Sequence, residues 1–455
     1  NSNGAVRVMA SGLDFGDDIE AGQRPYDIAG KGRRNPGSAF KPIGLAAALD
    51  NGQRFGVPIT LATQWSSASP QILDYPGAPK PWECNNAGGG GGGLRSLEDA
   101  TIFSVNTVFC QVSIATGAEN IVKMAHRLGI ESDIEAVPSV VLGSQAVTPL
   151  EMASAYSTFA NFGARVPSYL VERIEDADGN VIYQHEVERE QVIDRALAAS
   201  IVRTLQQAVE RGTGTRAQID RPQAGKTGTH QNSTDVWFMG FIPQLTTAVW
   251  VGYPDSQIPI RNITIRGNYY SPAYGGTLAA PIWKEFMEIA TDGLPVVDFP
   301  EDPEGMEPYY AVPKTVVPSI SGLGVSGARA AIRQAGLRAS TVTVYGDAAK
   351  GTLLSMSPGP GTRLNQGATV TLRVAGGPPP STAMPSFLGL TQDGVLASIA
   401  QVLSDSGVVI YPTFTTREVT DPSQIGIVVA QAPGPGTVLP YQVWPTFVMG
   451  VAPGG

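Results

Sequence analysis

Apolar residues recur every three to four positions along several stretches of the first 293 residues, a period typical of helices that bury one face. This pattern predicts helices over residues 38–49, 97–115, 119–128, 149–162, 196–211 and 278–289. Residues 5–10, 235–242 and 246–253 are instead rich in β-branched or aromatic residues and predict strands, the last two joined as a hairpin at Pro243. Helices combined with hairpin-linked strands indicate an α+β domain in which helices pack on an antiparallel sheet.

The last third of the chain contains an internal repeat. Pro-Ser-x-x-Gly-Leu occurs at 318–323 and again at 385–390, and Pro-Gly-Pro-Gly-Thr occurs at 358–362 and 433–437. We therefore expect a domain over 1–293, a Pro-rich linker over 294–317, and two small β-α modules over 318–376 and 385–452. The second copy is degenerate, with Gly-Val at 407–408 where the first copy has Gly-Leu at 336–337.

Charge and composition exclude several classes of protein. The net charge of −9 argues against nucleic acid as a partner, because phosphate binding requires a basic surface. No apolar run approaches the roughly 20 residues that cross a bilayer. The three histidines, His126, His185 and His230, are widely scattered, so we expect neither a metal site nor a Ser-His-Asp triad. The two cysteines, Cys84 and Cys110, form either a disulfide in an oxidising compartment or two buried thiols.

Three short motifs suggest chemistry. Ser38 and Lys41 are three residues apart and would share one face of a helix, where a neutral amine could take the serine proton. This motif alone is weak, because chance produces it in about half of chains with this composition. Ser104 and Asn106 form a second weak motif, inside an apolar helical run. The third motif, Lys226 to Thr229, precedes the predicted hairpin and offers a cation and hydroxyls to a carboxylate.

Ser-x-x-Lys, Ser-x-Asn and Lys-Thr-Gly in this order resemble the penicillin-recognising serine acyltransferases. The flanking residues at 34–42, 212–215, 224–229 and 235–240 resemble the transpeptidase domain of bifunctional, class A penicillin-binding proteins. The two C-terminal copies resemble PASTA domains. This combination is typical of a Gram-positive or actinobacterial envelope, and it implies a five-stranded antiparallel sheet flanked by helices, followed by two PASTA modules.

The resemblance implies a role for each motif residue. Ser38 would form an acyl-enzyme with a D-Ala–D-Ala stem peptide, with Lys41 as its base and no cofactor or metal. Ser104 would pass the proton to the leaving D-alanine, and Asn106 would bind the substrate amide. The carboxylate would be held by Lys226, Thr227, Gly228 and Thr229. The backbone N–H groups of Ser38 and Thr229 would form the oxyanion hole, and β-lactams would acylate Ser38.

Some features depart from the family pattern. Class A proteins carry an upstream glycosyltransferase domain and a membrane anchor, and neither is in this sequence, so we expect an ectodomain fragment from the outer face of the membrane or the cell wall. The Gly-rich run at 88–93 is not typical of the family, and it lacks the Lys-Ser/Thr of a phosphate-binding loop.

Two other functions remain open at this stage. A D,D-carboxypeptidase or β-lactamase would use water as the acceptor, although Val105 stands where class A β-lactamases carry Asp. A catalytically silent cell-wall sensor or scaffold is the second alternative, and intact motifs argue against it. The PASTA copies would bind muropeptides, if they bind a ligand at all, and few basic residues in the last 78 positions predict weak binding there.

Overall fold

The structure is a computed structural model that describes residues 1–12, 14–18, 20–54, 56–75 and 80–454. The chain divides into two compact units. The first unit comprises residues 1–319, 330–338 and 360–369, and the second comprises 320–329, 339–359 and the residues from 370 onwards. The first repeat is therefore shared between the two units.

The helices occur throughout the first unit and once in each repeat. The α-helices are α1 (Ile28–Lys31), α2 (Lys41–Asn51), α3 (Leu97–Ile102), α4 (Asn106–Thr116), α5 (Ala118–Leu128), α6 (Pro149–Ala160), α7 (Arg195–Glu210), α8 (Ala280–Ala290), α9 (Glu307–Tyr310), α10 (Val325–Gln334) and α11 (Gln392–Ser406). Short 3-10 helices cover Gly37–Phe40, Pro138–Leu142, Thr215–Ala217, Gln231–Ser233 and Pro422–Gln424, and a π-helix covers Gly275–Ala279.

The strands of the first part of the chain are β1 (Gln53–Arg54), β2 (Val57–Pro58), β3 (Gln64–Ser66), β4 (Gln71–Leu73), β5 (Trp82–Cys84), β6 (Leu94–Ser96), β7 (Ala164–Arg165), β8 (Arg173–Glu175), β9 (Val181–Gln184), β10 (Glu190–Gln191), β11 (Ala224–Thr229), β12 (Asp235–Phe241), β13 (Thr246–Gly252), β14 (Ile263–Ile265) and β15 (Asn268–Tyr270). The C-terminal strands are β16 (Lys314–Val316), β17 (Arg338–Val344), β18 (Leu353–Ser357), β19 (Arg363–Asn365), β20 (Thr369–Ala375), β21 (Thr382–Ala383), β22 (Val409–Ile410), β23 (Thr413–Glu418), β24 (Val428–Ala432), β25 (Val438–Leu439), β26 (Gln442–Val443) and β27 (Thr446–Val451).

The main sheet of the first unit is antiparallel, in the order β11-β12-β13. Every residue of β12 is buried, because helices cover both faces of the sheet. Trp237, Met239 and Phe241 belong to the larger core, whereas Phe238 packs on Trp283 of α8 on the other side. The two-residue alternation of a strand therefore divides β12 between two cores and fixes its register.

Helix α2 lies at the centre of the larger core, where its residues from Lys41 to Leu49 are all buried. It packs against α4, α5 and α7. Several surrounding helices begin at side-chain caps that the sequence carries, among them Ser96 before α3 and Thr148 before α6. Thr148 and Glu151 form a reciprocal capping box, with Pro149 at the first helical position.

The α+β class is confirmed, and several details differ from the expectation. The central sheet has three strands among the described residues, where the resemblance implied five. Residues 5–10 do not form a strand: Ala5 makes a single bridge to Tyr169, the Val6 amide donates to the Tyr169 carbonyl, and all six side chains remain at least partly exposed. The helix predicted over 97–115 is two helices, with a break at Phe103 to Val105.

The segment over 294–317 is packed along the first unit. Phe299 is buried in the large core, and Tyr309 and Tyr310 pack against it. The Tyr309 carbonyl accepts a hydrogen bond from the Leu61 amide at 2.8 Å. Prolines limit regular structure in this segment to the short elements α9 and β16, and apolar side chains anchor the segment to the core.

The two C-terminal repeats have the same strand order. The first has β17-β20-β18 and the second β23-β27-β24, so in each the last long strand lies in the middle. Each repeat also begins with one helix, α10 or α11. The second repeat has its own apolar core, in which Phe387 and Phe447 are in edge-to-face contact.

Candidate active site

Ser38 lies in the 3-10 helix Gly37–Phe40, directly before α2. This turn is held from two sides: Trp237 Nε1 donates to the Asn35 carbonyl at 2.9 Å, and the Tyr156 hydroxyl donates to the Ala39 carbonyl at 2.7 Å. Ser38 is half-buried between fully buried neighbours. Its hydroxyl is therefore carried by a rigid turn that remains open to solvent.

The α-helix predicted to begin at Ser38 begins instead at Lys41, because residues 37–40 form a 3-10 helix that starts at Gly37 with a left-handed φ of 54°. A Cβ at Gly37 would lie 2.5 Å from the Thr229 carbonyl oxygen. Gly228 allows an equally close approach, since a Cβ there would lie 2.3 Å from the Pro36 carbonyl. These two glycines bring the Ser38 turn against β11, so the first and third motifs lie side by side.

Lys41 is fully buried at the first position of α2. Its Nζ donates to Asn106 Oδ1 at 2.7 Å, to the Ser104 carbonyl at 2.7 Å and to Ser104 Oγ at 3.2 Å. Burial, reinforced by the nearby charge of Lys226, holds the pKa of Lys41 well below its usual value. A neutral amine in this position can accept a proton from a hydroxyl.

Ser104 lies in the break between α3 and α4, with a positive φ of 59° that a serine rarely adopts. The break follows from the backbone, because the Val105 amide bonds back to the Ala100 carbonyl and so ends α3. Ser104 Oγ lies 3.2 Å from Lys41 Nζ and 2.9 Å from Lys226 Nζ. One hydroxyl thus connects two amines, an arrangement through which a proton can move.

Asn106 begins α4, and its side chain is fixed at both ends. Oδ1 accepts from Lys41, and Nδ2 donates to the Asn85 carbonyl at 3.1 Å. Asn85 was not among the predicted site residues, since its contribution is a backbone carbonyl that no motif records. The neighbouring Cys84 is joined to Cys110 of α4 by a disulfide, with the two Cα atoms 6.6 Å apart.

Lys226 is fully buried on β11, where its Nζ also donates to the Thr227 carbonyl at 3.2 Å. Burial lowers the pKa of Lys226 to about 7. Thr227 Oγ1 is 2.6 Å from Thr213 Oγ1, and Thr229 Oγ1 accepts from the Gly275 amide at 3.0 Å. β11 pairs only with β12 among the described strands, so its other edge can receive an extended ligand.

A buried ion pair that the sequence analysis missed supports the Ser38 turn. Arg34 Nε donates to Asp235 Oδ1 at 2.7 Å, and Trp250 Nε1 donates to the same oxygen at 2.9 Å. His230 is close by, and burial lowers its pKa although Asp235 opposes the change. In the sequence, only position pointed to this pair. Arg34 lies four residues before Ser38, and Asp235 stands at the start of a predicted strand.

The sequence motifs therefore come together around Ser104. Among the residues that the structure describes, no cluster of His, Cys, Asp and Glu could hold a metal ion. In the same residues, no helix has the length and apolar character needed to cross a membrane.

Comparison with known protein families agrees with this geometry. The family described as the penicillin binding protein transpeptidase domain matches residues 1–288, and the PASTA domain family matches residues 315–376. The family predicted from the three motifs is thus confirmed, together with a PASTA domain at the first repeat.

Similar proteins are known in several bacteria. Penicillin-binding protein 1A of Neisseria lactamica is 32% identical over 300 residues, which are 64% of this chain and 35% of that protein. This chain therefore spans about a third of the length of such relatives.

Two solved structures from Mycobacterium tuberculosis are similar in fold. One is the penicillin-binding protein PonA1, with 29% identity, a TM-score of 0.52, and coverage of 62% of this chain and 75% of that one. The other is penicillin-binding protein A as a penicillin G acyl-enzyme complex, with 26% identity, a TM-score of 0.50, and coverage of 64% and 72%. With its transpeptidase match over more than half of its length, this chain belongs to the penicillin-binding protein transpeptidase family.

Proposed function

We propose that this chain is a serine D,D-transpeptidase that cross-links peptidoglycan stem peptides and is acylated by β-lactams. One observation carries the proposal: the Nζ atoms of two buried lysines, Lys41 and Lys226, both lie within 3.2 Å of Ser104 Oγ, next to the turn that bears Ser38. Burying two cations costs several kcal/mol unless they lose their protons, so the arrangement favours neutral amines available for proton transfer.

In the proposed reaction, Ser38 Oγ attacks the carbonyl carbon of the D-Ala–D-Ala bond while Lys41 takes the hydroxyl proton. The peptide C–N bond then breaks, and the proton passes through Ser104 to the departing amine of D-alanine. An amine of a second stem peptide attacks the resulting ester, and its extra proton returns to Ser38 as the cross-link forms. Each step conserves protons, so no cofactor is needed.

The substrate would be held by the third motif and by Asn106. Its terminal carboxylate would lie against Lys226, Thr227 and Thr229. An arriving carboxylate favours the protonated form of Lys226, so binding above pH 7 takes up a proton. The backbone N–H groups of Ser38 and Thr229 would stabilise the oxyanion, each donor contributing about 3 kcal/mol. The close approach of β11 to the Ser38 turn supports this pairing.

The test is intact mass spectrometry after incubation with benzylpenicillin. We expect one stable penicilloyl adduct on the parent chain and none on Ser38→Ala. Ser157→Ala is a matched control, because that hydroxyl bonds only within α6, and it should label normally. Adduct formation that persists in Ser38→Ala would contradict the proposal.

The same experiment separates the two alternatives. If no adduct accumulates and free penicillin disappears, the protein is a hydrolase of the carboxypeptidase or β-lactamase type. If no adduct forms and penicillin persists, it is a catalytically silent sensor or scaffold. The low-pKa lysine beside the nucleophile turn favours catalysis over the silent alternative.

We also propose that residues 385–452 form a second PASTA repeat, which the shared strand order supports. The Cys84–Cys110 disulfide supports a location on the extracytoplasmic face of the membrane or in the cell wall, since disulfides persist in oxidising compartments. Muropeptides would be the ligand class for the repeats.

A further inference from the structure

Residues Cys84, Asn85 and Asn86 lie along the first part of helix α4, and we call them the strap. Each makes a different contact with that helix: Cys84 is bonded to Cys110, the Asn85 carbonyl accepts from Asn106 Nδ2, and Asn86 Oδ1 accepts from the Thr107 amide at 3.0 Å. The strap thus contacts α4 next to the proposed catalytic centre, although none of the three motifs includes it.

The Asn85 carbonyl determines which way the Asn106 carboxamide points. An amide has an oxygen that accepts and a nitrogen that donates, and the two ends are similar in size. A carbonyl at one end binds only the nitrogen, so the oxygen must face Lys41 Nζ, 2.7 Å away. Without that carbonyl, the amide could rotate and present its N–H groups to the lysine.

Asn86 holds this carbonyl in place through several hydrogen bonds. Its Oδ1 also accepts from the Thr107 hydroxyl at 3.1 Å, and its Nδ2 donates to the carbonyls of Ser67 at 3.2 Å and Gly90 at 2.9 Å. Its own amide donates to Ser69 Oγ at 3.0 Å. Asn86 therefore satisfies one of the free amides at the start of α4 and ties the strap to the neighbouring loops.

The disulfide fixes the other end of the strap. Cys84 and Cys110 are both buried, and Cys110 lies four residues beyond Asn106, one helical turn along α4. The Asn85 carbonyl is consequently held between two anchors on the same helix that carries Asn106. Such a two-sided support limits how far the carbonyl can move away from Nδ2.

We propose that the strap is a positioning element for Asn106, which holds its carboxamide in the orientation that the proposed contact with the substrate amide requires. This inference rests on the proposed function. Asn86 and the Cys84–Cys110 pair act through Asn106 and do not touch the substrate. The amide Nδ2 has two hydrogens, and the strap engages one and leaves the second for the carbonyl of an acylamino side chain.

Two penicillins differ in that group alone. Benzylpenicillin carries an acylamino side chain, whereas 6-aminopenicillanic acid has the same bicyclic ring system with a free amine. The ratio of their acylation rate constants therefore reports the positioning of Asn106. Simple loss of folded protein lowers both rates equally and leaves the ratio unchanged.

The experiment measures this ratio for the full chain and for Asn106→Ala, Asn86→Ala, Asn86→Asp and the double variant Cys84→Ala/Cys110→Ala. We expect Asn106→Ala to lower the ratio most, about tenfold, and Asn86→Ala and the double cysteine variant to lower it about fivefold, as for a weakened hydrogen bond. Asn86→Asp should recover part of the loss, because it keeps the acceptor for Thr107. Asn120→Ala is the control, since its side chain bonds Thr116 at the other end of α4.

An unchanged ratio in both Asn86→Ala and the double cysteine variant, with a lowered ratio in Asn106→Ala, would overturn the inference and leave the proposed function intact. An unchanged ratio in Asn106→Ala would overturn it as well. Failure of the parent chain to react with either penicillin would instead overturn the proposed function and, with it, the role of the strap.

Discussion

The catalytic region and the C-terminal region differ most clearly in what they bury. Within residues 1–293, five charged side chains are almost completely buried: Arg34, Lys41, Arg54, Lys226 and Asp235. In the described residues of the second unit, the buried side chains are all apolar. Burying a charge costs several kcal/mol, so a protein keeps one only where a partner or a function compensates. The difference therefore marks the region in which to look for chemistry.

The five buried charges are themselves of two kinds. Arg34 and Asp235 pair with each other, and Arg54 lies over the Trp65 ring at 4.1 Å while donating to backbone carbonyls. Lys41 and Lys226 form no ion pair with any carboxylate among the described residues, and their partners are neutral oxygens. Uncompensated burial thus distinguishes the two lysines of the proposed active site from structural charges.

The largest expected effect comes from replacing Lys41. Lys41→Met should lower the acylation rate by at least about a thousandfold, because the proposed base is lost. It should change the free energy of unfolding much less than the acylation barrier, because removing a buried amine offsets the loss of its hydrogen bonds to Asn106 and Ser104. Stopped-flow acylation and denaturant unfolding measure the two quantities. A rate within about tenfold of the parent value would exclude Lys41 as the base.

The sequence predicted most of the fold where local pattern decides it. The hairpin at 235–253 was predicted to within one residue at each strand end because its aromatic and β-branched residues and Pro243 are local signals. The break in the helix over 97–115 was not, because residues 103–105 are as helical in composition as their neighbours. α3 ends there because the Val105 amide bonds back to the Ala100 carbonyl with Ser104 at a positive φ, and backbone geometry of that kind is visible only in three dimensions.

The site was predictable where residue order carries information. Ser38, Lys41, Ser104, Asn106 and the residues at 226–229 were all candidates, because three motifs in one order exceed chance. Asn85 was not, since any residue can supply a backbone carbonyl. Asn86 and the Arg34–Asp235 pair were also missed, because none of the three motifs includes them and only the folded chain shows their contacts.

The next largest expected effect is on the stability of the second repeat, and it should leave acylation unchanged. Phe447 packs between Phe387 and Phe414 in the core of the second repeat, at centroid distances of 4.9 Å and 5.7 Å. Phe447→Ala should destabilise that repeat by about 3–5 kcal/mol through the cavity it leaves. Acylation of Ser38 by benzylpenicillin should be unchanged. A parallel loss of acylation in samples that remain folded would show that the two regions are not functionally separate.

A smaller effect concerns pH. Lys226 has a folded pKa of about 7 and an ordinary value of 10.5, so between these values the unfolded chain binds one more proton than the folded chain. The contribution of Lys226 to the free energy of unfolding therefore rises with pH in that window, by up to about 1.4 kcal/mol per pH unit. Lys226→Met should remove this slope. Thermal or urea unfolding at about pH 7.5 and 9 should show it as a difference of about 2 kcal/mol between parent and variant.

The matched control for this slope is Lys350→Met, because the Lys350 side chain is exposed in the C-terminal region. We expect the control to follow the parent chain across the whole range. If Lys226→Met also keeps the parent slope, the buried Lys226 amine does not change its protonation on folding. The two regions would then still differ in which side chains they bury, but not in a proton lost on folding.

The smallest expected effect is in the second repeat. Residues 378–455 contain one basic residue, Arg417, against four acidic residues, so electrostatic attraction for anionic wall polymers is weak. With the active site blocked by benzylpenicillin, we expect the full chain to bind muropeptides weakly. Arg417→Gln should change that affinity less than about twofold, and so should raising the salt concentration severalfold. Calorimetric titration at two ionic strengths measures the effect of the substitution and the effect of salt. Tight, salt-sensitive binding that Arg417→Gln abolishes would contradict this prediction, because it would show a ligand site in the second repeat despite its purely apolar core.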